Sequence, residues 1–195
     1  MAVQRIEELT RDRERVGIEH DDADDTIGTI ASDDAIGFDP LPLLRSFDHH
    51  GVRVVVIGQV AGILHGSSEL TGDLDLLWSG DPADAPAMAA AVSAVGADLF
   101  DDDQRPLATG PAAFERPKVQ FRAPTAAGDC CTPALPWGGL DLVAFFDRAD
   151  SCTVDGAEIH FLSLPDLNAT RLAVGRPKDL RRVAEFENPD THQGV

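Results

Sequence analysis

Three aspartates have the residue type and the setting that metal-dependent chemistry requires. Asp73 and Asp75 alternate with leucines in an apolar segment, DLDLL, which is typical of a strand. Because side chains on a strand alternate faces, both carboxylates project to the same side. Asp141 lies in a second apolar segment, LDLVAFF at 140–146, which we predict to be a buried strand. Asp141 either caps the exit of the preceding loop or, if the two strands are neighbours, joins the pair as a third metal ligand.

The pair of Asp73 and Asp75 is costly to hold together without a cation. Two unit charges about 4 Å apart interact by roughly 4 kcal/mol at an effective dielectric constant of about 20. Water or a metal must relieve this repulsion, and Mg²⁺ fits best because it prefers hard oxygen ligands and bridges to substrate phosphates. Spacing alone is weak evidence, since 34 of the 195 residues are acidic. The surrounding elements are what favours a functional site.

The segment before the acids has the order strand, glycine, short helix and turn. Residues 52–57 are β-branched apart from Arg53, which predicts a buried strand ending at Gly58. Residues 59–65 are compatible with a short helix, whose free N–H groups would face an anion such as phosphate. A turn at 71–72 then leads into the acidic strand. The sequence therefore places a candidate phosphate site beside a candidate metal site.

A basic segment follows a short strand predicted at 159–162 and belongs to a helix expected to begin near Leu164. Between residues 166 and 182 five basic residues face two acidic ones, a local charge of +3 in a chain whose net charge is −18. Its basic residues are Arg171, Arg176, Lys178, Arg181 and Arg182. They either bind an anionic substrate or form a solvated helix face that balances acidic surroundings.

The remaining patterns complete a predicted fold. Helices are expected at 43–50 and across the alanine-rich segment 83–95. Short strands are expected at 99–100 and around 119–121, and 122–139 is expected to be irregular. Together with the acidic strand these elements predict an α/β (α+β) fold in which a mixed β-sheet is flanked by helices.

Composition supports one globular domain with charged ends. Of the 195 residues 43% are hydrophobic, which is enough for a substantial core. We expect a flexible acidic N-terminal arm at 1–35, a single domain at 36–187 and a tail at 188–195. The arm has a second interpretation as a partner-binding tail or nucleic-acid mimic. The net charge of −18 disfavours general binding to nucleic acids or anionic membranes.

The sequence contains neither an apolar run of membrane-spanning length nor a signal-peptide pattern, which predicts a cytoplasmic protein without a membrane partner. Its three cysteines are Cys130, Cys131 and Cys152. Adjacent cysteines rarely bond to each other and lack the spacer of zinc motifs, so we expect buried or inert thiols.

The motifs on these elements resemble the polymerase-beta-like nucleotidyltransferase superfamily. The run Ile57-Gly58-Gln59, thirteen further residues and then DLDL at 73–76 are similar to its glycine-ended strand and paired-acid strand. The nearer similarity is to small minimal nucleotidyltransferases and abortive-infection-type toxins. These have "HG" before the acids, as at 65–66, and "T-x-D-x-D", as at 71–75.

A late block of motifs extends the resemblance to about residues 38–187. It consists of LPDL at 164–167 and GRPKD at 175–179. The resemblance implies the nucleotidyltransferase fold and the in-line transfer of a nucleoside monophosphate from a nucleoside triphosphate to a protein or RNA acceptor. It also implies a possible place in a toxin–antitoxin system, with a cognate toxin or antitoxin as partner.

The resemblance assigns roles to particular residues. Asp73 and Asp75 would bind two Mg²⁺ ions, and Asp141 would be the third acid, which orients the attacking hydroxyl or acts as its base. Gly58, with Gln59 beside it, would let the backbone approach the triphosphate. The remaining nucleotide-binding residues would be Arg171, Arg176 and Lys178.

Four positions depart from the pattern of this superfamily. Gln59 stands where glycine or serine is usual, and Glu69 stands where arginine is frequent. Arg171 replaces a frequent lysine, and Arg182 replaces a frequent acid. Two functional classes therefore stay open, an active nucleotidyltransferase and a nucleotide- or partner-binding module that keeps the fold without turnover. Three retained carboxylates favour turnover, because a binding module has no need of so costly a cluster.

Overall fold

The computed structural model describes residues 2–17 and 33–187 of the chain. These residues form one eight-stranded mixed sheet flanked by helices. The strands are β1 (Val54–Val56), β2 (Asp73–Trp78), β3 (Asp98–Phe100), β4 (Pro106–Leu107), β5 (Lys118–Arg122), β6 (Ala127–Cys131), β7 (Asp150–Val154) and β8 (Ala157–Phe161). The α-helices are α1 (Ala2–Thr10), α2 (Leu41–His49), α3 (Gly58–Leu64), α4 (Ala85–Ala94), α5 (Val143–Arg148), α6 (Leu164–Val174) and α7 (Pro177–Glu187). Short 3₁₀ turns lie at Asp33–Ala35 and Pro111–Glu115.

The acidic strand β2 lies at the centre of the sheet, whose order is β4-β3-β5-β6-β2-β1-β8-β7. It runs antiparallel to β1 and parallel to β6. The register of the parallel pair sets Asp75 beside Asp129. Strand β1, which consists of three valines, is buried throughout, as expected of a strand covered on both faces. The centre of the sheet therefore holds the acids on rigid, buried backbone.

Helices enclose this centre. Helix α2 packs against α4 and β8, while α3 packs against both β2 and α6, and α6 packs against α7. The largest side chains of the core, among them Phe47, Trp78, Met88 and Phe121, are each at most 2% exposed. Their burial supplies hydrophobic stabilisation to the sheet and to the helices packed on it.

Most predicted elements are confirmed, including the buried strand before Gly58, the acidic strand and the helices around them. The strand predicted at 140–146 is wrong, because this segment enters helix α5. Leu142 and Phe145 are buried three residues apart, as on a helix, whereas Val143 is 64% exposed. The irregular segment predicted at 122–139 is also wrong in part, since it contains β6.

Residues on both sides of the domain boundary predicted at residue 36 contribute to the hydrophobic core. Ile6 of α1 and Ala35 are buried members of the hydrophobic core. Residues 18–32 of the predicted arm and the predicted tail at 188–195 lie outside the described residues. None of the helices within 2–17 and 33–187 is long and apolar enough to cross a membrane. Cys130 and Cys131 are buried free thiols, and burial raises the pKa of Cys131 to about 12.

Candidate active site

A cleft of about 440 Å³ lies between the acidic strand, the residues that follow β1, and helices α6 and α7. Its lining carries acids and bases in one space. The acids are Asp73, Asp75, Asp129 and Asp179, and the bases are Lys118, Arg171, Arg176, Lys178 and Arg182. Leu135, Trp137, Leu167 and Val174 add an apolar part. A cleft of this composition suits a ligand that combines phosphates, a cation and a flat apolar group.

Three carboxylates converge in this cleft, two from β2 and one from β6. Leu74 and Leu76 point into the core and are fully buried, so Asp73 and Asp75 both face the cleft, as the alternation predicts. Asp129 lies directly beside Asp75 in the parallel register of β6 and β2. The third acid of the site is therefore Asp129.

Burial and mutual repulsion perturb the two acids of β2. Burial first, and then the charges of Asp75 and Asp129, raise the pKa of Asp73 to about 8. Burial and the charge of Asp129 likewise raise the pKa of Asp75 to about 6. Lys118 and Lys178 oppose both shifts without cancelling them. Negative charge is therefore concentrated at the acid pair, where a cation would relieve it.

Asp129 has an ammonium partner of its own. Lys118 Nζ lies 2.9 Å from Asp129 Oδ2 and 3.7 Å from Asp102 Oδ1. Burial lowers the pKa of Lys118, but the hydrogen bond to Asp129 and its charge outweigh burial and raise that pKa. Within residues 2–17 and 33–187 no three His, Cys, Asp or Glu side chains already surround a common point as metal ligands. Asp129 thus forms an ion pair with Lys118 and lies beside Asp75 of β2.

The structure does not bring Asp141 to this site, which corrects its predicted place as third metal ligand and catalytic acid. Asp141 is exposed and does not line the cleft. Its Oδ1 accepts a hydrogen bond of 3.2 Å from the N–H of Ala144 in the first turn of α5. Asp141 therefore caps a helix, the kind of role that acids commonly fill at such positions. The structure favours the capping alternative.

Two glycines allow the close approaches that build the site. Gly58 has a φ of +64°, and a Cβ placed there would lie 2.2 Å from Oδ2 of Asp75. A Cβ at Gly128 would lie 2.0 Å from the carbonyl oxygen of Leu74, so only glycine lets β6 lie this close to β2 immediately before Asp129. Side chains at either position would displace a carboxylate of the cluster.

Gln59 is committed to a buried network and not to the space beside Gly58. Its Nε2 donates to Ser67 Oγ at 2.9 Å and to the carbonyl oxygen of Glu69 at 2.8 Å. Its Oε1 accepts a hydrogen bond of 2.8 Å from Arg171 Nη2. Burial and the charge of Arg182 lower the pKa of Arg171 to about 10. Gln59 therefore positions Arg171 in the wall of the cleft.

Arg182 and Glu185 bind helix α7 to the loop before the acidic strand. Arg182 Nη2 lies 2.6 Å from Glu69 Oε1, forming a largely buried ion pair. The carboxylate of Glu185 accepts hydrogen bonds from Ser67 Oγ and from the N–H and Oγ of Ser68, at 2.6 to 2.8 Å. These bonds hold α7, and with it the basic segment, against the site.

The basic segment supplies two cations close to the acids. Lys178 is only 2% exposed, and its charge lowers the pKa of both Asp73 and Asp75. Arg176 also lowers the pKa of Asp75, and its guanidinium pairs with Asp179, where Nε lies 2.8 Å from Oδ2. The structure therefore places four predicted nucleotide-binding residues, Arg171, Arg176, Lys178 and Gly58, in one cleft with the acid pair, and the fifth, Gln59, in its wall.

Sequence reasoning missed Asp129 and Lys118. Asp129 lies in AGDCC, which lacks β-branched residues, and Lys118 begins KVQFR on the adjoining antiparallel strand. The available clue was the order glycine, acid and two apolar cysteines at 128–131. A glycine within a strand often marks a place where another backbone approaches closely.

No protein-family model and no curated protein matches this chain. Several solved structures are similar to it, among them the following two. One is a Thermotoga maritima protein, provisionally named a nucleotidyltransferase, with 16% identity and a TM-score of 0.47 over 75% of this chain and 89% of that one. The other is ANT(2″)-Ia in complex with adenylyl-2″-tobramycin, with 13% identity and a TM-score of 0.40 over 76% of this chain and 95% of that one. Similarity of this degree assigns no activity, so function is inferred from the cleft itself.

Proposed function

We propose that this chain is a metal-dependent nucleotidyltransferase, which moves a nucleoside monophosphate from a nucleoside triphosphate to a hydroxyl group of an acceptor. The supporting observation is the clustering of two half-buried carboxylates, Asp73 and Asp75, with ammonium and guanidinium groups in one cleft. Carboxylates with raised pKa values favour a divalent cation, and the basic groups favour phosphate oxygens. A metal–nucleotide complex satisfies both.

The donor set fits Mg²⁺. Asp73 and Asp75 offer hard carboxylate oxygens, and the burial and repulsion that raise the pKa of both are conditions that a divalent cation relieves. When bound, Mg²⁺ would neutralise charge that develops on the entering and leaving oxygens. The resemblance to known nucleotidyltransferases implies two such ions.

The proposed reaction is an in-line displacement at the α-phosphate. The acceptor oxygen forms a bond to the α-phosphorus while the bond from that phosphorus to the bridging β-phosphate oxygen breaks, and pyrophosphate leaves. The hydroxyl proton passes to the carboxylate of Asp129, which takes the role that the resemblance gives to Asp141. Lys178 and Arg176 hold the phosphates, because both line the cleft and both lower the pKa of Asp75, whereas Lys118, which acts more strongly, is already paired with Asp129.

The apolar part of the cleft suits the nucleobase. Trp137 is half-buried beside Leu135 and Val174 in the lining. Stacking of a base on an aromatic side chain contributes about 1–3 kcal/mol and tolerates any base. The proposal therefore includes Trp137 as the residue that contacts the base.

The alternative of a binding module without turnover rests on Gln59 as an obstacle to the triphosphate. The hydrogen bonds of Gln59 to Ser67, Glu69 and Arg171 direct its side chain into the protein, which weakens that alternative. A toxin–antitoxin system, a cognate partner and a protein or RNA acceptor stay predictions from the resemblance.

The experiment is transfer of label from α-labelled nucleoside triphosphates to cell extract in the presence of Mg²⁺. Wild type is expected to label an acceptor, and Asp75→Asn is expected to lose at least about 100-fold of this activity because it removes charge at the reacting phosphate. Asp141→Asn is the matched control and is expected to transfer as wild type does. Nucleotide binding without transfer to any acceptor would favour the binding module and contradict the proposal.

A further inference from the structure

A second cavity, of about 580 Å³, adjoins the carboxylates and shares Asp73 and Asp129 with the cleft. Its walls are residues 120–129, which span the β5–β6 hairpin, and residues 34–38, with Gly72 between them. We call it the hairpin cavity. The acids therefore form a wall common to two spaces, and the cleft described above is only one of them.

The two spaces differ in charge. The described residues that line the cleft include five bases and four carboxylates, a formal charge of +1, whereas those that line the hairpin cavity include one base, Arg122, and three carboxylates, Asp34, Asp73 and Asp129, a formal charge of −2. A triphosphate is highly anionic, so it is attracted to the cleft and repelled by the hairpin cavity. The hairpin cavity suits a ligand without negative charge.

Arg122, the one base among the described residues that line the hairpin cavity, contacts two residues outside the lining. Arg122 Nη2 donates to Gln104 Oε1 at 2.5 Å, and its guanidinium lies 4.6 Å from the centre of the Phe100 ring. These contacts hold the guanidinium at the edge of the hairpin but leave its charge in place. The carboxylates still outnumber it by three to one among the described lining residues.

The chemistry of transfer requires an entry for the acceptor that is separate from the entry of the triphosphate. In an in-line displacement the attacking oxygen approaches the phosphorus from the side opposite to the leaving group. With pyrophosphate directed to the bases of the cleft, the reacting phosphorus lies at the shared acids, and the space beyond them is the hairpin cavity. We propose that the hairpin cavity receives the acceptor, an inference that rests on the proposed function.

Size and charge indicate the class of acceptor. Two hydrogen bonds join the walls of the cavity, since the Asp39 N–H donates to the Thr125 carbonyl at 2.8 Å and Thr125 Oγ1 donates to the Asp39 carbonyl at 2.7 Å. Phe38 and Phe121 are buried and supply an apolar floor. The volume falls within the range of about 300–1,000 Å³ that is typical of small-molecule sites. The volume suits a small hydroxyl compound, and the negative lining favours one that is uncharged or positively charged over a polyanion such as a nucleic acid.

The atoms of the step balance within these two spaces. An oxygen of the acceptor in the hairpin cavity bonds to the α-phosphorus, and its proton passes to Asp129, which lines both spaces. The bond to the β-phosphate oxygen breaks, and pyrophosphate departs through the cleft. The products are a phosphodiester of the acceptor with the nucleoside monophosphate and free pyrophosphate.

Ala127→Phe tests this inference by placing a large side chain in the hairpin cavity and not in the cleft; because Ala127 is the register partner of Asp73, Mg²⁺–nucleotide affinity shows whether the acid pair is intact. Ala127 is exposed, lines this cavity and does not line the cleft. Ala112→Phe is the matched control, since Ala112 is exposed and lines neither space. Each protein is titrated with every Mg²⁺–nucleoside triphosphate by calorimetry. Each is then assayed for label transfer to three fractions of a cell extract: the small-molecule ultrafiltrate, the RNA and the protein.

Wild type and Ala112→Phe are expected to label a compound of the ultrafiltrate. Ala127→Phe is expected to keep nucleotide affinity within about threefold and to lose about 100-fold of transfer, because the acceptor is displaced. Label that appears only in RNA or protein would overturn the inference, as would wild-type transfer by Ala127→Phe. Nucleotide binding with no transfer to any fraction would instead contradict the proposed function, and the inference would fail with it.

Discussion

Gly58→Ala is expected to remove catalysis while leaving the protein folded. An alanine Cβ at this position would lie 2.2 Å from Asp75 Oδ2, whereas contacts of a Cβ essentially never fall under 3.0 Å. The carboxylate must therefore retreat by at least about 0.8 Å, and rotation gives little relief because Asp75 Cγ and Cβ would also lie 3.1 and 3.2 Å away. A misplacement of about 1 Å at a reacting centre costs about 100-fold in rate.

The same substitution also strains the backbone. Gly58 has a φ of +64°, a conformation that costs a residue with a side chain about 1–2 kcal/mol. For a protein of this size that loss lowers Tm by roughly 2–8 °C. Loss of transfer must therefore be measured well below Tm and accompanied by a thermal scan.

Gly51→Ala separates strain from displacement of the carboxylate. Gly51 has a φ of +70°, but a Cβ there meets no atom within 4 Å. This variant is expected to lose stability to the same extent and to transfer label at the wild-type rate. Label transfer, thermal unfolding and Mg²⁺-dependent nucleotide affinity are measured on all three proteins. Equal transfer by Gly58→Ala and Gly51→Ala would refute the role given to the close contact between Gly58 and Asp75.

Three further predictions follow from named contacts. Glu69→Arg and Arg182→Glu should each lose about 2–4 kcal/mol in urea unfolding, and the double variant should regain much of it because the buried pair is restored in reverse. Trp137→Ala should weaken nucleotide binding at least about fivefold in calorimetry, with stacking lost. The guanidinium of Arg148 lowers the pKa of Asp166, so the ionised carboxylate stabilises the fold. Wild type should therefore be more stable than Asp166→Asn at neutral pH, and urea titrations should show this difference in unfolding free energy shrinking as pH falls through the acidic range.

The acid pair could be predicted because its evidence is local. The alternation of DLDLL predicts that Asp73 and Asp75 project from the same face of a strand. A valine-rich run that ends in glycine predicts the neighbouring strand. The third acid could not be found in this way, because its place depends on which strand pairs with β2. An apolar run such as LDLVAFF has no period that distinguishes strand from helix, so the sequence predicts Asp141 as the third acid, and only the sheet order shows that Asp129 takes that place.

The four residues that depart from the pattern of the superfamily that the chain resembles contact one another in two pairs, and these contacts explain them. Glu69 and Arg182, each unusual alone, form one ion pair with the two charges exchanged between the loop and α7. Gln59 and Arg171, likewise unusual alone, share a hydrogen bond of 2.8 Å. Judged by its size alone, Gln59 in place of glycine or serine would obstruct the binding of a triphosphate. Judged by its contacts, Gln59 completes the polar satisfaction of a buried arginine, which is what a buried guanidinium requires to remain in the wall of the cleft.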